Sequence, residues 1–188
     1  ALPILNLNKS DIMYKTMYEN GLDPHYLNDY HVKEALLFLS LKLPLRSFDV
    51  YKKSSKIMYA IRGASLYTTA DGGTTWTSCI AAGITGNKTS VAICPWDSSR
   101  VWVSVSGYAT GKKVWYSDNG GITFNNFSGT LPNVPVNSLY YQDSTQDGLY
   151  ACTEIGVWAY DTLVHDWVAF NQGMPSVNCT EIELNRSE

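Results

Sequence analysis

Apolar and polar residues alternate along most of the chain, in short runs separated by glycine, aspartate, asparagine and serine. One run is RVWVSV at 100–105 and the next is KVWYS at 113–117, with turn-forming residues between them. A period of two is typical of β-strands that bury one face, whereas an amphipathic helix needs a period of about 3.6. The pattern therefore predicts an all-β protein, with one short helix at 31–40 as an exception.

The strand-like runs recur with a period of about 45 residues. One type of run is found at 11–16, 56–61, 100–105 and 148–153. Each unit contains four such runs, which in the third unit read SVAIC, RVWVSV, KVWYS and FNNFS. Four short antiparallel strands in each unit of about 45 residues is the period of a β-propeller blade.

The repeat divides the chain into about four blades. We place an irregular blade at 1–44, regular blades at about 45–88, 89–135 and 136–180, and an extra strand at 181–185. Closed propellers contain about four to eight blades. The chain is thus predicted to be a segment of a larger propeller, and the alternative is a minimal ring.

Two turns of nearly the same sequence lie between the third and fourth predicted strands. The first reads TADGGTTW at 69–76, and the second reads SDNGGITF at 117–124. Their glycines supply positive φ, and the Asp or Asn side chain accepts hydrogen bonds from backbone N–H groups. The final aromatic residue is predicted to pack beneath the turn. A third copy, YDTLVHDW at 160–167, has lost this turn chemistry.

The first turn matches the Asp-box pattern S/T-x-D-x-G-x-T-W at every defined position, and the second matches it with Asn for Asp and Phe for Trp. The chain therefore resembles the Asp-box (BNR-type) repeat β-propellers, which include sialidases, xyloglucan-cleaving endoglucanases, sortilin-type receptors and a photosystem assembly factor. It looks most similar to large secreted or surface propellers of bacteria. The resemblance implies structural roles for Thr69, Asp71, Gly73, Thr75, Trp76, Ser117, Asn119, Gly121, Thr123 and Phe124. It implies a fold and a secreted or cell-surface location, but it does not define a function.

Composition argues against several other classes of function. The net charge of −3 provides no basic surface for nucleic acid, and no apolar run approaches the roughly 20 residues of a membrane span. The three histidines show no ligand spacing and the four cysteines contain no CxxC pair, so we predict no metal site and no cofactor. Each cysteine lies in an apolar strand-like run, so we expect Cys79, Cys94, Cys152 and Cys179 to be buried thiols rather than disulfides.

Candidate ligand-binding residues lie on one face of the predicted disc. In such blades the second–third turns and the fourth–first connections share a face, opposite to the Asp-box turns. The candidates on that face are Glu19, Arg46, Arg62, Tyr108 and Glu154. A glycan or a protein is the predicted ligand, and the remaining blades of a parent protein are the predicted partners.

Glu154 is also a candidate catalytic carboxyl. The segment LYACTEIGVWAYD resembles a xyloglucanase segment in which a catalytic Asp follows Thr and precedes a hydrophobe and Gly. Here a Glu replaces that Asp, and the sequence does not identify the second carboxyl that glycosidases need about 5–10 Å away. We therefore predict a non-catalytic module for binding, adhesion or scaffolding. One alternative is part of a xyloglucanase-like or sialidase-like glycoside hydrolase, and another is a receptor that binds peptides in a central channel.

Overall fold

The computed structural model describes residues 45–80, 83–142 and 148–182, and within these ranges the chain forms twelve β-strands and no helix. The predicted helix at 31–40 and the irregular unit at 1–44 lie outside the described residues. The strands form three antiparallel sheets of four strands, in which neighbours follow chain order. The all-β prediction is confirmed for the described part of the chain.

Short connections join consecutive strands of each sheet as antiparallel neighbours. Sheet 1 contains β1 (Leu45–Val50), β2 (Met58–Arg62), β3 (Ser65–Thr69) and β4 (Thr77–Cys79). Sheet 2 contains β5 (Lys88–Ile93), β6 (Val101–Val105), β7 (Val114–Ser117) and β8 (Asn125–Asn126). Sheet 3 contains β9 (Val136–Tyr141), β10 (Leu149–Thr153), β11 (Gly156–Asp161) and β12 (Asp166–Ala169).

The first strands of the three sheets lie next to one another, β1 beside β5 and β5 beside β9. Side chains of β1 bind the backbone of β5: Ser47 Oγ accepts a hydrogen bond from Val91 N at 3.1 Å, and Asp49 Oδ2 accepts one from Ile93 N at 2.8 Å. Because alternate backbone N–H groups of a strand point the same way, two side chains on one strand can satisfy the edge of the next. We call β1, β5 and β9 the inner strands. Those of sheets 1 and 2 are thereby linked by side chains, without a shared backbone ladder.

Buried apolar side chains fill both junctions between sheets. The junction of sheets 1 and 2 contains Tyr59, Ile61, Leu66, Val91, Ile93, Val101, Val103, Val105, Trp115 and Phe124. The junction of sheets 2 and 3 contains Ala92, Cys94, Trp102, Val114, Leu131, Val136, Leu139, Tyr141, Leu149, Ala151 and Trp167. Alternation along β6 sends its three valines to one junction and Trp102 to the other, so both faces of sheet 2 are buried.

Two of the four cysteines are paired, so the expectation of free thiols is wrong for them. Cys152 in β10 and Cys179 form a disulfide, whereas Cys79 and Cys94 are free. The segment after β12 returns to the end of β10, where Cys179 N donates to Thr153 O at 2.9 Å. Strand patterns do not reveal that return, since it depends on how the connection folds back.

Hydrogen bonds within the turn at 69–76 close the connection between β3 and β4. Thr69 Oγ1 accepts a hydrogen bond from Gly73 N at 3.0 Å. The Asp71 carboxylate accepts two from Thr75, from the hydroxyl at 2.6 Å and from the backbone N–H at 2.9 Å. Because these bonds stabilise the charged form, they lower the pKa of Asp71 to about 2.

The turn at 117–124 between β7 and β8 repeats this arrangement without a charge. Ser117 Oγ accepts a hydrogen bond from Gly121 N at 2.9 Å, and Asn119 Oδ1 accepts one from Thr123 N at 3.0 Å. Asn119 Nδ2 donates to the hydroxyl of Thr123 at 2.7 Å, whereas in the first turn the threonine hydroxyl donates to the carboxylate. Rotation of one hydroxyl is therefore enough to accommodate either Asp or Asn.

The aromatic residues that end the three turn copies differ in burial. Phe124 is 7% exposed in the junction of sheets 1 and 2, and Trp167 is 2% exposed in the junction of sheets 2 and 3. Each therefore packs toward the preceding sheet. Trp76 is only half-buried, and in the described part of the chain no sheet precedes sheet 1.

Candidate functional site

One face of the structure carries the second–third turns together with the connections between sheets. The start of each inner strand pairs with the end of the second strand, as Leu45 does with Arg62, Lys88 with Val105 and Val136 with Thr153. The turns that follow these second strands, at 63–64, 106–113 and 154–155, therefore lie beside the connections. We call this side the candidate face. The turns at 69–76 and 117–124 lie at the other ends of their strands.

On the candidate face, a hydrogen bond joins a loop of sheet 2 to a turn of sheet 3. Tyr108 OH donates to Glu154 Oε2 at 2.8 Å. Tyr108 is 63% exposed, and Glu154 is half-buried in the turn between β10 and β11. The hydrogen bond to the carboxylate raises the pKa of the Tyr108 hydroxyl, since it favours the neutral phenol. We call Tyr108 and Glu154 the rim pair.

A buried lysine supports the loop that carries Tyr108. Lys113 is completely buried, and its Nζ donates to Gly107 O at 2.7 Å. Burial lowers the pKa of this lysine, because the surrounding protein disfavours its charged form. A side-chain amide of β8 also donates to Gly111 O, at 2.6 Å. These bonds position the backbone on both sides of Tyr108.

The other predicted ligand-binding residues are distributed differently. Arg62 is 2% exposed, and burial lowers its pKa. Arg46 is exposed at the start of β1, and Glu19 lies outside the described residues. The structure thus brings Tyr108 and Glu154 together, while Arg62 lies below the surface of the same face.

Sequence reasoning did not identify the buried lysines of this face. Lys88 is 8% exposed, and its Nζ donates to Ala64 O at 2.9 Å, which links the start of β5 to the β2–β3 turn. Lysine is almost never fully buried, so a lysine at a strand end is normally expected in solvent. The one available signal is that Lys88 and Lys113 each lie between a turn and an apolar strand.

A polar cavity of about 400 Å³ lies among the inner strands. Its lining includes one serine from each inner strand, Ser47, Ser90 and Ser138, together with Asp49. Burial raises the pKa of Asp49 to about 6, although two backbone N–H groups that donate to its carboxyl act in the opposite direction. The cavity occupies the place of the central channel of a propeller.

Two further properties concern residues 45–80, 83–142 and 148–182 alone. Within them, no three His, Cys, Asp or Glu side chains cluster in a way that could hold a metal ion. They also contain no helix with the length and apolar character that a membrane crossing requires.

Three four-stranded antiparallel sheets with adjacent first strands define the described part of the chain as part of a β-propeller. Solved structures with a similar fold support this class. The GH74 enzyme of Niastella koreensis aligns with a TM-score of 0.55 and 20% identity, over 66% of this chain and 21% of that chain. The extracellular domain of BT3049 from B. thetaiotaomicron aligns with a TM-score of 0.54 and 16% identity, over 71% of this chain and 20% of that chain. YCF48 bound to D1 peptide aligns with a TM-score of 0.52 and 14% identity, over 68% of this chain and 40% of that chain.

The chain therefore spans between 20% and 40% of the length of these structures. At such low identity the similarity shows the fold alone. Neither models of known protein families nor curated protein sequences give a match to the chain. The propeller prediction is confirmed, and the function has to be inferred from the site.

Proposed function

We propose that the chain is a non-catalytic module of a secreted or cell-surface β-propeller of the Asp-box type, and that it binds a glycan at the rim pair. The observation that carries the proposal is the 2.8 Å hydrogen bond between Tyr108 and Glu154, on the face where the turns of two sheets meet. Adhesion or scaffolding would then follow from glycan recognition by a larger parent protein.

The chemistry of the rim pair suits a sugar. The exposed Tyr108 ring offers a flat apolar surface, and aromatic rings of this kind also carry a polar group at one end. The Glu154 carboxylate has two oxygens with about four acceptor positions, and Tyr108 uses only one of them. A sugar ring that lies on the phenol can therefore donate hydroxyl hydrogen bonds to the carboxylate beside it.

The number of carboxyl groups on the candidate face favours binding over hydrolysis. In the described turns and connections of this face, from 62 to 180, Glu154 is the only acidic residue. Glu181, which directly follows the last of these connections, lines the central cavity. Both glycosidase mechanisms need a pair of carboxyl groups on either side of the bond. The alternative, a glycoside hydrolase with Glu154 as one carboxyl, therefore requires a partner residue from outside this set.

The disulfide supports the proposed location. Disulfides persist in oxidising compartments, and Cys152–Cys179 joins β10 to the segment that follows β12. One structure of similar fold is described as an extracellular domain. The small share of each similar structure that this chain spans also fits a module of a larger protein.

A glycan array on the full chain, followed by calorimetric titration of the best ligand, tests the proposal. Glu154→Gln is expected to weaken binding about 10- to 100-fold, because a hydrogen bond to a charged group contributes about 1.5–3 kcal/mol. Asp118→Asn is the matched control, since it replaces an exposed carboxylate by an amide in the turn at 117–124, on the opposite face. Its affinity should equal that of the unmodified chain.

A hydrolysis assay on the same glycans separates the two hypotheses. The binding hypothesis predicts no new reducing ends from ligands that bind. Turnover that Glu154→Gln abolishes would instead assign the chain to the glycoside hydrolases. Unchanged affinity in a folded Glu154→Gln variant would exclude the rim pair as the site.

A further inference from the structure

We propose that the sugar bound at the rim pair is an N-acetylated amino sugar and that Asn178 selects it, an inference that rests on the proposed function. The observation that carries it is an exposed amide beside Glu154 on the candidate face. Cys179 N donates to Thr153 O at 2.9 Å, and the Cys152–Cys179 disulfide joins the same two segments. Glu154 and Asn178 are therefore each one residue away from this backbone hydrogen bond.

The side chain of Asn137, in β9, fixes the orientation of the Asn178 amide. Asn137 Nδ2 donates to Cys179 O at 2.8 Å and to Asn178 Oδ1 at 3.1 Å. Because a backbone carbonyl only accepts, the Asn137 group that faces it is the NH2 group, and the Asn178 atom that accepts the second bond is the oxygen. Asn178 is exposed, and its own NH2 group makes no hydrogen bond to the described residues. Two N–H donors at this position are therefore available to a ligand.

Glu154 provides the complementary acceptor. Its Oε2 accepts a hydrogen bond from Tyr108 OH at 2.8 Å, and Tyr108 is its one hydrogen-bond partner in the described part of the chain. An ionised carboxylate has about four acceptor positions, so the greater part of this capacity is available to a ligand. The candidate face thus presents an acceptor and a donor on residues that the backbone holds close together.

An acetamido group matches this combination better than a hydroxyl group does. In a trans amide the N–H and the C=O point in opposite directions, so its two hydrogen-bond partners lie on opposite sides, about 8 Å apart. A hydroxyl group donates and accepts at one oxygen, which requires its two partners to lie much closer to each other. An acetamido N–H can therefore donate to Glu154 while its C=O accepts from Asn178, with the sugar ring on Tyr108.

The turn that carries Glu154 also offers an apolar surface and is held in place. Ile155 is 40% exposed, and the acetamido methyl group can pack against its side chain. Thr153 Oγ1 accepts a hydrogen bond from Ile155 N at 3.3 Å and donates one to Gly156 O at 2.7 Å. Gly156 has φ of 111°, and a Cβ at this position would meet the side chain of Asn171. A turn fixed before binding loses little conformational freedom when a ligand binds.

Calorimetric titration of the full chain with three β-1,4-linked trimers tests the proposal. The trimers are those of N-acetylglucosamine, glucose and glucosamine, which differ in one substituent of each ring. We expect the acetylated trimer to bind at least about tenfold more tightly than the other two, the effect of about one additional hydrogen bond. In NMR spectra of the labelled chain, the side-chain NH2 resonances of Asn178 should shift with the acetylated trimer alone.

Asn178→Asp is the informative variant. It keeps the oxygen that accepts from Asn137 but removes both N–H donors. The ratio of affinities for the acetylated trimer and the glucose trimer should fall to about one, because the acetamido C=O loses its donor. Asn87→Asp is the matched control, since it changes an exposed amide to a carboxylate in the connection between sheets 1 and 2, on the same face. This control should keep the ratio of the unmodified chain.

The possible results separate this inference from the proposed function. Equal affinity for the acetylated and glucose trimers, with binding that Glu154→Gln still weakens, would overturn the acetamido selection and leave the glycan site standing. Tighter binding of the glucosamine trimer would also overturn it, because an ammonium group would then pair with Glu154. Binding of none of the three would overturn the selection as well, and the glycan array then decides independently whether the proposed function also fails. The comparison of trimers uses the unmodified chain, so it holds even where Asn178→Asp fails to fold.

Discussion

Removal of the Cys152–Cys179 disulfide is expected to destabilise the chain by an amount that follows from the length of the closed segment. The two cysteines are 27 residues apart. The chain-entropy relation for a loop of that length gives about 12 cal/mol/K, or about 3.5 kcal/mol at 25 °C. This is a large share of the stability of a typical domain, which is about 5–15 kcal/mol.

The assay is urea unfolding of the unmodified chain and of the Cys152→Ala/Cys179→Ala variant, with and without a thiol reductant. The free energy of unfolding of the variant should be lower by about 3–4 kcal/mol, and reductant should lower that of the unmodified chain by a similar amount. Reductant should not affect the variant, in which only Cys79 and Cys94 remain.

Thiol titration provides the control. The unmodified chain, unfolded without reductant, should react as a protein with two thiols. Four reactive thiols, or an unfolding transition that reductant does not shift, would contradict the Cys152–Cys179 disulfide.

Three further predictions concern titration and packing. Asp71→Asn should retain the turn, as Asn119 does in sheet 2. Because its pKa is lowered, Asp71 stabilises the fold above about pH 4 and loses this contribution as pH falls toward 2, and the variant should lack that pH dependence. Melting temperatures from neutral to acid pH test this. Asp49 has the opposite effect on the pH dependence of stability. Because its pKa is raised, the free energy of unfolding should fall by about 2–3 kcal/mol as pH rises from about 4 through 6. Asp49→Asn should abolish this pH dependence in urea unfolding. Phe124→Ala should lower the free energy of unfolding by about 3–5 kcal/mol, and Trp76→Ala, at a half-buried position, should lower it less. Equal losses in urea unfolding would contradict the difference in burial between the two residues.

The fold could be predicted from the sequence because its strands repeat with a recognisable spacing. Each predicted run of the unit that contains RVWVSV corresponds to a strand of sheet 2. The alternation also explains why β6 is apolar on both sides, since Trp102 and its neighbouring valines enter different junctions.

The site could be predicted less well from the sequence, because contacts between sheets depend on loop geometry rather than on periodicity. Tyr108 and Glu154 were both candidates, but nothing in their spacing indicates a direct hydrogen bond. Arg62 looked equivalent to them in the sequence, yet its place at the end of an inner hairpin buries it. The return of Cys179 to β10 is of the same kind, since the chain between them includes two strands and an irregular connection.

The junction of sheets 2 and 3 shows a related limit. The absence of glycines at 163–164 is visible in the sequence as a defect in a repeat, whereas the cavity of about 390 Å³ in this junction is visible only in the structure.

Chemical-shift mapping of the bound glycan tests the central proposal most directly. Titration of the labelled chain with the best array ligand should shift the backbone amides of 106–112 and 153–156, around Tyr108 and Glu154. Glu154→Gln should suppress those shifts at the same ligand concentration, without altering the remaining spectrum. Shifts confined to the inner strands around the central cavity, at 47–50 and 90–93, would contradict the account and would place the ligand on the propeller axis instead.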